Sequence, residues 1–304
     1  MAIGVTIVLS LLGIGLNALM LRDMFQTIFA PSGSGMLSEW AARIIWRIGR
    51  FLSQRRPERL SLAGPLAMVA IIVIWAGGLV IGWACLIWPH LPDQFLLSSG
   101  MAPEANDGFV DALYLSLVTV GTLGYGDITP DATWLRLVAP LEALIGFSLF
   151  TAAISWIMSV YPALARRRHL AREVSLLVQS EHSSGVVVSD VDPSTHGGLL
   201  RDMAGQVVSV RDDFVQFSIT YFFWTADGES ALDVALQRLA RLAREASAHH
   251  DPGVRLSATL LRGALDDLAS HLAETLLKVD GRAGLDVVLD AYAADHRRPA
   301  DHTG

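Results

Sequence analysis

Basic residues are missing from the middle of this chain. No lysine or arginine lies between Arg59 and Arg136, and Lys278 is the only lysine among 304 residues. Charged residues make up 17% of the sequence and the formal net charge is -7. That balance offers no basic face for a phosphate backbone, so no nucleic-acid partner is expected. Cys85 is the only cysteine, which excludes an intrachain disulfide, a thiolate zinc site and a redox pair. There is no internal repeat, no low-complexity tract and no Gly-x-Gly-x-x-Gly after a strand. No catalytic constellation stands out either: His249-His250-Asp251 reads as solvated surface at a helix end, and Ser183 and Ser184 lie in no nucleophile context. No enzyme activity and no cofactor are expected. Apolar residues are abundant instead, at 52% with a mean hydropathy of +0.43, and they gather in the first half.

They form three long segments. Residues 3–21 carry no charge and are of about bilayer length. A cleaved leader is the competing reading, but the start is not basic and Ala18-Leu19-Met20-Leu21 is a poor cleavage site, so a retained spanning helix is expected. Residues 62–88 form the second segment, with Pro65 suited to a first helical turn and Trp83 and Trp88 to the far interface. Residues 134–161 form the third, with Gly146 near its middle and Glu142 in its outer half. Arginine is concentrated beside the segments. Arg22, Arg43, Arg47, Arg50, Arg55, Arg56 and Arg59 precede the second, and Arg166-Arg167-Arg168 follows the third. Asp93, Glu104, Asp107 and Asp111 follow Pro89. The positive-inside rule then puts residues 22–61 and the C-terminus in the cytoplasm, and residues 90–106 and the N-terminus outside a cell membrane. Within 22–61, Trp40, Ile44, Ile45, Ile48, Phe51 and Leu52 can share one helical face, with Arg43, Arg47 and Arg50 on the other side. Such a helix lies in the membrane interface or packs on a cytosolic domain.

Residues 107–120 are apolar and too short to span, and Asn106 or Asp107 can cap a helix there. A short helix that enters and returns is tolerated at membrane depth only when buried in protein. Its C-terminal dipole would favour a cation. It leads into Thr119-Val120-Gly121-Thr122-Leu123-Gly124-Tyr125-Gly126-Asp127. A dehydrated cation needs oxygens in place of water, and consecutive carbonyls supply them only if all point the same way. That demands alternating backbone conformations, some left-handed, which Gly124 and Gly126 tolerate.

This stretch resembles the selectivity filter of potassium channels, and residues 62–161 resemble the two-helix pore module of that family, of prokaryotic type. The core Thr-x-x-Thr-x-Gly-Tyr-Gly-Asp matches. Gly121 replaces the usual Thr, and Leu123 the usual Val or Ile. Tyr114 and Leu115 stand where many relatives carry a tryptophan pair, and Val118 where some have a carboxylate that braces the filter. The resemblance implies a homotetramer holding K+ on the carbonyls of Thr122, Leu123, Gly124 and Tyr125, with Gly126 in the same ribbon. Leu123 and Tyr125 would pack behind the filter. Thr119, Asp127 and Tyr114 would support it, with Asp127 held mainly by Tyr114. Gly146 is a candidate gating hinge or, equally, a small residue for close helix packing. Glu142 would face the pore or support the filter. No spanning segment carries the regular arginines of a voltage sensor. The implied function is passive, potassium-selective conduction. The alternatives are a poorly selective cation channel and a non-conducting membrane anchor that binds a partner.

Residues 163–304 read as cytosolic and helical, resemble no known family, and would serve a regulatory role toward a ligand or ion. Pro162 would kink or restart the helix after the third segment, residues 186–189 would be a strand or a linker, and Asp192-Pro193-Ser194 would start a helix. Residues 214–224 would form core or subunit interface. Leu232, Leu236, Leu239 and Leu242 make one stripe and Leu256, Leu260, Leu261, Leu265, Leu268 and Leu272 another, broken at Asp251-Pro252-Gly253. The expected fold is an all-α membrane protein with three spanning helices, a re-entrant pore helix and filter, and a helical cytosolic domain. Its expected parts are residues 1–61, 62–162 and 163–304.

Overall fold

A computed structural model describes residues 3–30, 35–53, 57–98, 107–224, 231–277, 279–280 and 283–296. The chain divides into two compact units. The first comprises Met1–Ala30, Ser34–Ala41 and Met68–Met158, and the second Pro31–Gly33, Ala42–Ala67 and Ser159–Gly304. Among the described residues, three helices are long and apolar enough to cross a membrane: Ile3–Ile28, Leu60–His90 and Thr133–Ser184.

In the first unit, α1 (Ile3–Ile28) runs past the expected end at residue 21. Asp23 does not stop it, because its carboxylate is buried and fully engaged. It accepts from Trp75 Nε1 at 2.8 Å, Ser38 Oγ at 2.5 Å, and the amides of Leu37 at 2.9 Å and Ser38 at 3.3 Å. Those amides open α2 (Met36–Ser53), whose first N–H groups have no partner inside the helix. Thr27 Oγ1 donates to Asp23 O and lies 3.0 Å from Ser38 Oγ, closing the turn between the helices. Further along, α1 meets α3 (Ala63–Ile87) almost backbone to backbone: a Cβ on Gly13 would sit 2.5 Å from Gly82 O. Small residues allow this approach where lipid supplies no hydrophobic drive between helices.

After α3 come a short strand β1 (Phe95–Leu97), the helix α4 (Phe109–Val120), and β2 (Ile128–Pro130), which pairs antiparallel to β1 with Leu96 opposite Thr129. The helix α5 (Thr133–Ser184) follows. The two strands were not legible in a sequence read as all-α, because three residues are too few to show alternation. Pro162 does not interrupt α5, which continues to Ser184. A proline costs a helix one backbone hydrogen bond, and neighbouring structure can absorb that cost.

In the second unit, Ser159 to Ser184 of α5 joins α6 (Pro193–Gln216), α7 (Leu232–Ala246), α8 (Pro252–His271) and α9 (Leu285–His296). No strand forms at residues 186–189; Val188–Asp190 is a 3-10 turn. Asp192 starts α6 by accepting from the Ser194 and Thr195 amides, both at 3.1 Å. The Ser194 hydroxyl on the same oxygen, with those amides, holds the Asp192 carboxyl below the usual carboxylate range. Asp251 caps α8 in the same way. Leu232, Leu236, Leu239 and Leu242 are all buried, as are Leu261, Leu265, Leu268 and Leu272. Leu256 and Leu260 are exposed, because the buried face of α8 turns through Val254, Ala258 and Leu261 instead.

Residues 214–224 enter this core through Phe214, Ile219, Tyr221, Phe222 and Trp224. Around them Arg167 of α5 donates to Thr220 O at 2.7 Å and Phe223 O at 2.9 Å. Asp295 of α9 collects Tyr221 Oη at 2.6 Å, Trp46 Nε1 at 3.0 Å and the Arg50 guanidinium. Burial, with Arg167 adding to it, pushes His296 below its ordinary pKa. Trp46 is thus the inward residue of α2, beside Ala41 and Ala42. Trp40, Ile48, Phe51 and Leu52 are exposed, as are Arg47 and Arg50. The apolar face expected of this helix is therefore turned outward.

Candidate functional site

The predicted filter lies between α4 and β2. Gly108, not Asp107, is the N-cap of α4, with its amide donating to Asp111 Oδ2 at 3.1 Å. Asn106 lies outside the described residues. The helix ends at Gly121, and its last free carbonyls bind the start of the next segment. Thr119 O accepts from Thr122 N at 2.9 Å, and Val118 O from Leu123 N at 2.8 Å and Gly124 N at 3.4 Å.

From there every second residue is left-handed: Thr122 at φ 56°, Gly124 at 56° and Gly126 at 76°. Leu123 and Tyr125 between them have negative φ. A β-strand sends successive carbonyls to opposite sides, whereas an alternation with left-handed residues allows them to share one side. Among the described residues, no hydrogen bond reaches the carbonyls of Thr122, Leu123, Gly124, Tyr125 or Gly126. Asp127 O, by contrast, accepts from Ser98 N at 2.8 Å, which ties the end of the ribbon to β1. The left-handed Thr122 was not foreseen. It is the non-glycine among the three, and its conformation is sterically costly.

The flanking residues fall as follows. Tyr114 Oη donates to Asp127 Oδ2 at 2.6 Å. Thr119 Oγ1 donates to Leu115 O at 2.8 Å, within α4. Glu142 is buried at 1% exposure, and its Oε1 accepts from Ser116 Oγ at 2.7 Å. A Cβ on Gly146 would lie 2.1 Å from Val120 O, so close packing alone demands glycine there. Leu123 and Tyr125 are exposed rather than packed behind the ribbon. Beneath the strands, Ile87, Phe95, Ala112, Leu115, Ile128 and Leu135 form the buried cluster that fixes α4.

Replacing Tyr114 by Phe removes a hydrogen bond to a charged group, a loss of roughly 1.5–3 kcal/mol. Tyr114→Phe is expected to lower the melting temperature of the detergent-solubilised protein; an unchanged melting temperature would count against the contact.

Three helices of membrane length, with a half-buried short helix leading into a left-handed ribbon, mark this as a membrane protein. The comparisons agree at that level. A family described as an ion channel matches residues 69–161. The chain is 28% identical over 159 residues to an uncharacterised membrane protein of Bacillus subtilis, covering 52% of this chain and 46% of that one. It is 46% identical over 46 residues to two-pore potassium channel 2 of Arabidopsis thaliana, which is 15% of this chain and 10% of the relative. It is 35% identical over 65 residues to a hyperpolarization-activated voltage-gated potassium channel of Methanocaldococcus jannaschii, which is 21% and 27% of the two. The chain therefore spans less than half the length of these relatives. No solved structure matches.

Proposed function

We propose that this protein is a potassium-selective channel, in which copies of the chain surround an axis lined by the carbonyls of Thr122, Leu123, Gly124 and Tyr125. The observation that carries the reading is the ribbon itself, whose left-handed residues alternate and whose carbonyls lack partners among the described residues. Carbonyls in that condition are suited to replace the water of a cation. One chain gives one wall, so closure requires a symmetric homotetramer. Two features support assembly: the exposed Leu123 and Tyr125, and an exposed apolar stripe on α5 through Leu137, Leu141, Leu144, Phe147, Phe150, Ile154 and Met158. Part of that stripe would meet neighbouring copies and part would meet lipid. Gly146 is required by its packing on Val120 and is also a candidate hinge. Conduction is passive and needs no cofactor.

The reading is tested by ion flux from liposomes holding the purified full chain and loaded with potassium. Potassium efflux with sodium retained supports it. Equal loss of both ions marks a poorly selective cation channel, and no flux marks a membrane anchor.

The arginine distribution supports an N-terminus outside and a C-terminus in the cytoplasm. A cysteine placed at Ser98 should react with an impermeant thiol reagent only from outside, and one at Ser189 only from inside. The reverse pattern would overturn this topology.

A further inference from the structure

Glu142 is a buried carboxyl group on α5, at the depth of the third apolar segment, and it forms no part of the carbonyl ribbon. Such a group is costly to keep away from water, and a leucine would fill the same position more cheaply. Among the described residues its hydrogen-bond partner is Ser116, at 2.7 Å. This places the contact on α4, one turn before that helix ends at Val120.

The geometry around it is specific. Glu142 and Gly146 lie one turn apart on α5, and Ser116 and Val120 lie one turn apart on α4. The first of each pair meets through the hydrogen bond, and the second through backbone contact, since a Cβ on Gly146 would be 2.1 Å from Val120 O. The backbone contact limits how closely the helices approach, but it has no direction that would stop α4 from turning or sliding. Room for such movement exists. A cavity of about 220 Å³ lies behind the ribbon, lined by Val118, Tyr125, Asp127, Val138 and Glu142 among others. At the far end, the ribbon is held by Tyr114 and Asp127. At the near end, Val118 and Thr119 lend their carbonyls to its first amides, so any shift of α4 is passed directly to Thr122, Leu123 and Gly124.

We propose that Glu142 is a positioning residue for the ribbon. Through Ser116 it fixes the rotation and depth of α4, and so keeps the left-handed backbone of residues 122–126 in its conducting arrangement. This rests on the channel reading above and adds where the ribbon is braced: from the inner helix, through a hydroxyl on the pore helix.

The test uses full-length protein in liposomes and compares wild type with Glu142→Leu, Glu142→Gln, Ser116→Ala and the double variant Ser116→Ala/Glu142→Leu. Glu142→Leu and Ser116→Ala are each expected to lower steady potassium current relative to its initial value by about tenfold, the scale of one lost buried hydrogen bond. Raising external potassium should slow the decay, because ion occupancy opposes collapse of the ribbon. A role in folding alone would not produce that dependence. Glu142→Gln keeps an acceptor for Ser116 and should restore steady current. The double variant should be no worse than either single, since both remove the same contact. Unchanged steady current in Glu142→Leu, additive losses in the double variant, or decay insensitive to external potassium would overturn the proposal while leaving the channel reading in place. A wild type that passes no selective potassium current would overturn both.

Discussion

Gly124→Ala and Gly126→Ala are each expected to abolish selective potassium flux while the protein still inserts and folds. Both glycines are left-handed, and a Cβ at either position would meet nothing within 4 Å. The penalty is therefore in the backbone, not in a clash. Holding an L-residue left-handed costs about 1–2 kcal/mol, and in the proposed ring of four copies this would become about 4–8 kcal/mol. The ribbon can avoid that cost by letting residue 124 or 126 return to negative φ, which turns a carbonyl away from its neighbours. Thr122 already bears such a cost in each chain, so little strain remains to be absorbed elsewhere. Ion flux and melting temperature measured on the same preparations check this. Selective flux in both variants would contradict the carbonyl ribbon.

The second large effect is expected at Asp23. Asp23→Ala leaves Trp75 Nε1, two α2 amides and the Ser38 hydroxyl without their acceptor, in a site where Trp75 has 0% exposure. Buried orphaned donors cost about 1–3 kcal/mol each, and relaxation of the surroundings should hold the total to about 3–5 kcal/mol. That corresponds to a fall of roughly 10 °C in the melting temperature of the detergent-solubilised protein. Asp23→Asn keeps one acceptor oxygen and should recover part of the loss. A melting temperature unchanged in Asp23→Ala would show that the α1–α2 turn is held by other contacts.

The contrast between these two sites shows what the sequence made legible. The ribbon is local. Its glycines, their alternation and the short helix before it are adjacent in the chain, so backbone chemistry together with the resemblance makes the left-handed glycines legible, though not Thr122. Tyr114 and Asp127 were paired through the resemblance to potassium-channel filters. Asp23 was not singled out in the sequence, because its partners lie on α2 and α3, up to 52 residues away. Ser116 and Glu142, 26 residues apart, were unpaired for the same reason. The second leucine stripe was over-extended at Leu256 and Leu260, which lie on the face of α8 opposite to Val254, Ala258 and Leu261. Pro162 was given more weight as a breaker than it has within a 52-residue helix. The outward apolar face of α2 follows from Trp46 turning inward to Asp295, a contact across 249 residues that periodicity cannot encode.

The most direct test of the central claim is the reversal potential of the reconstituted full-length protein with potassium on one side of a bilayer and sodium on the other. The ribbon of Thr122–Gly126 predicts a reversal potential close to the potassium equilibrium value, and its loss in Gly124→Ala. A reversal potential near zero, or one unaffected by that substitution, would contradict the account.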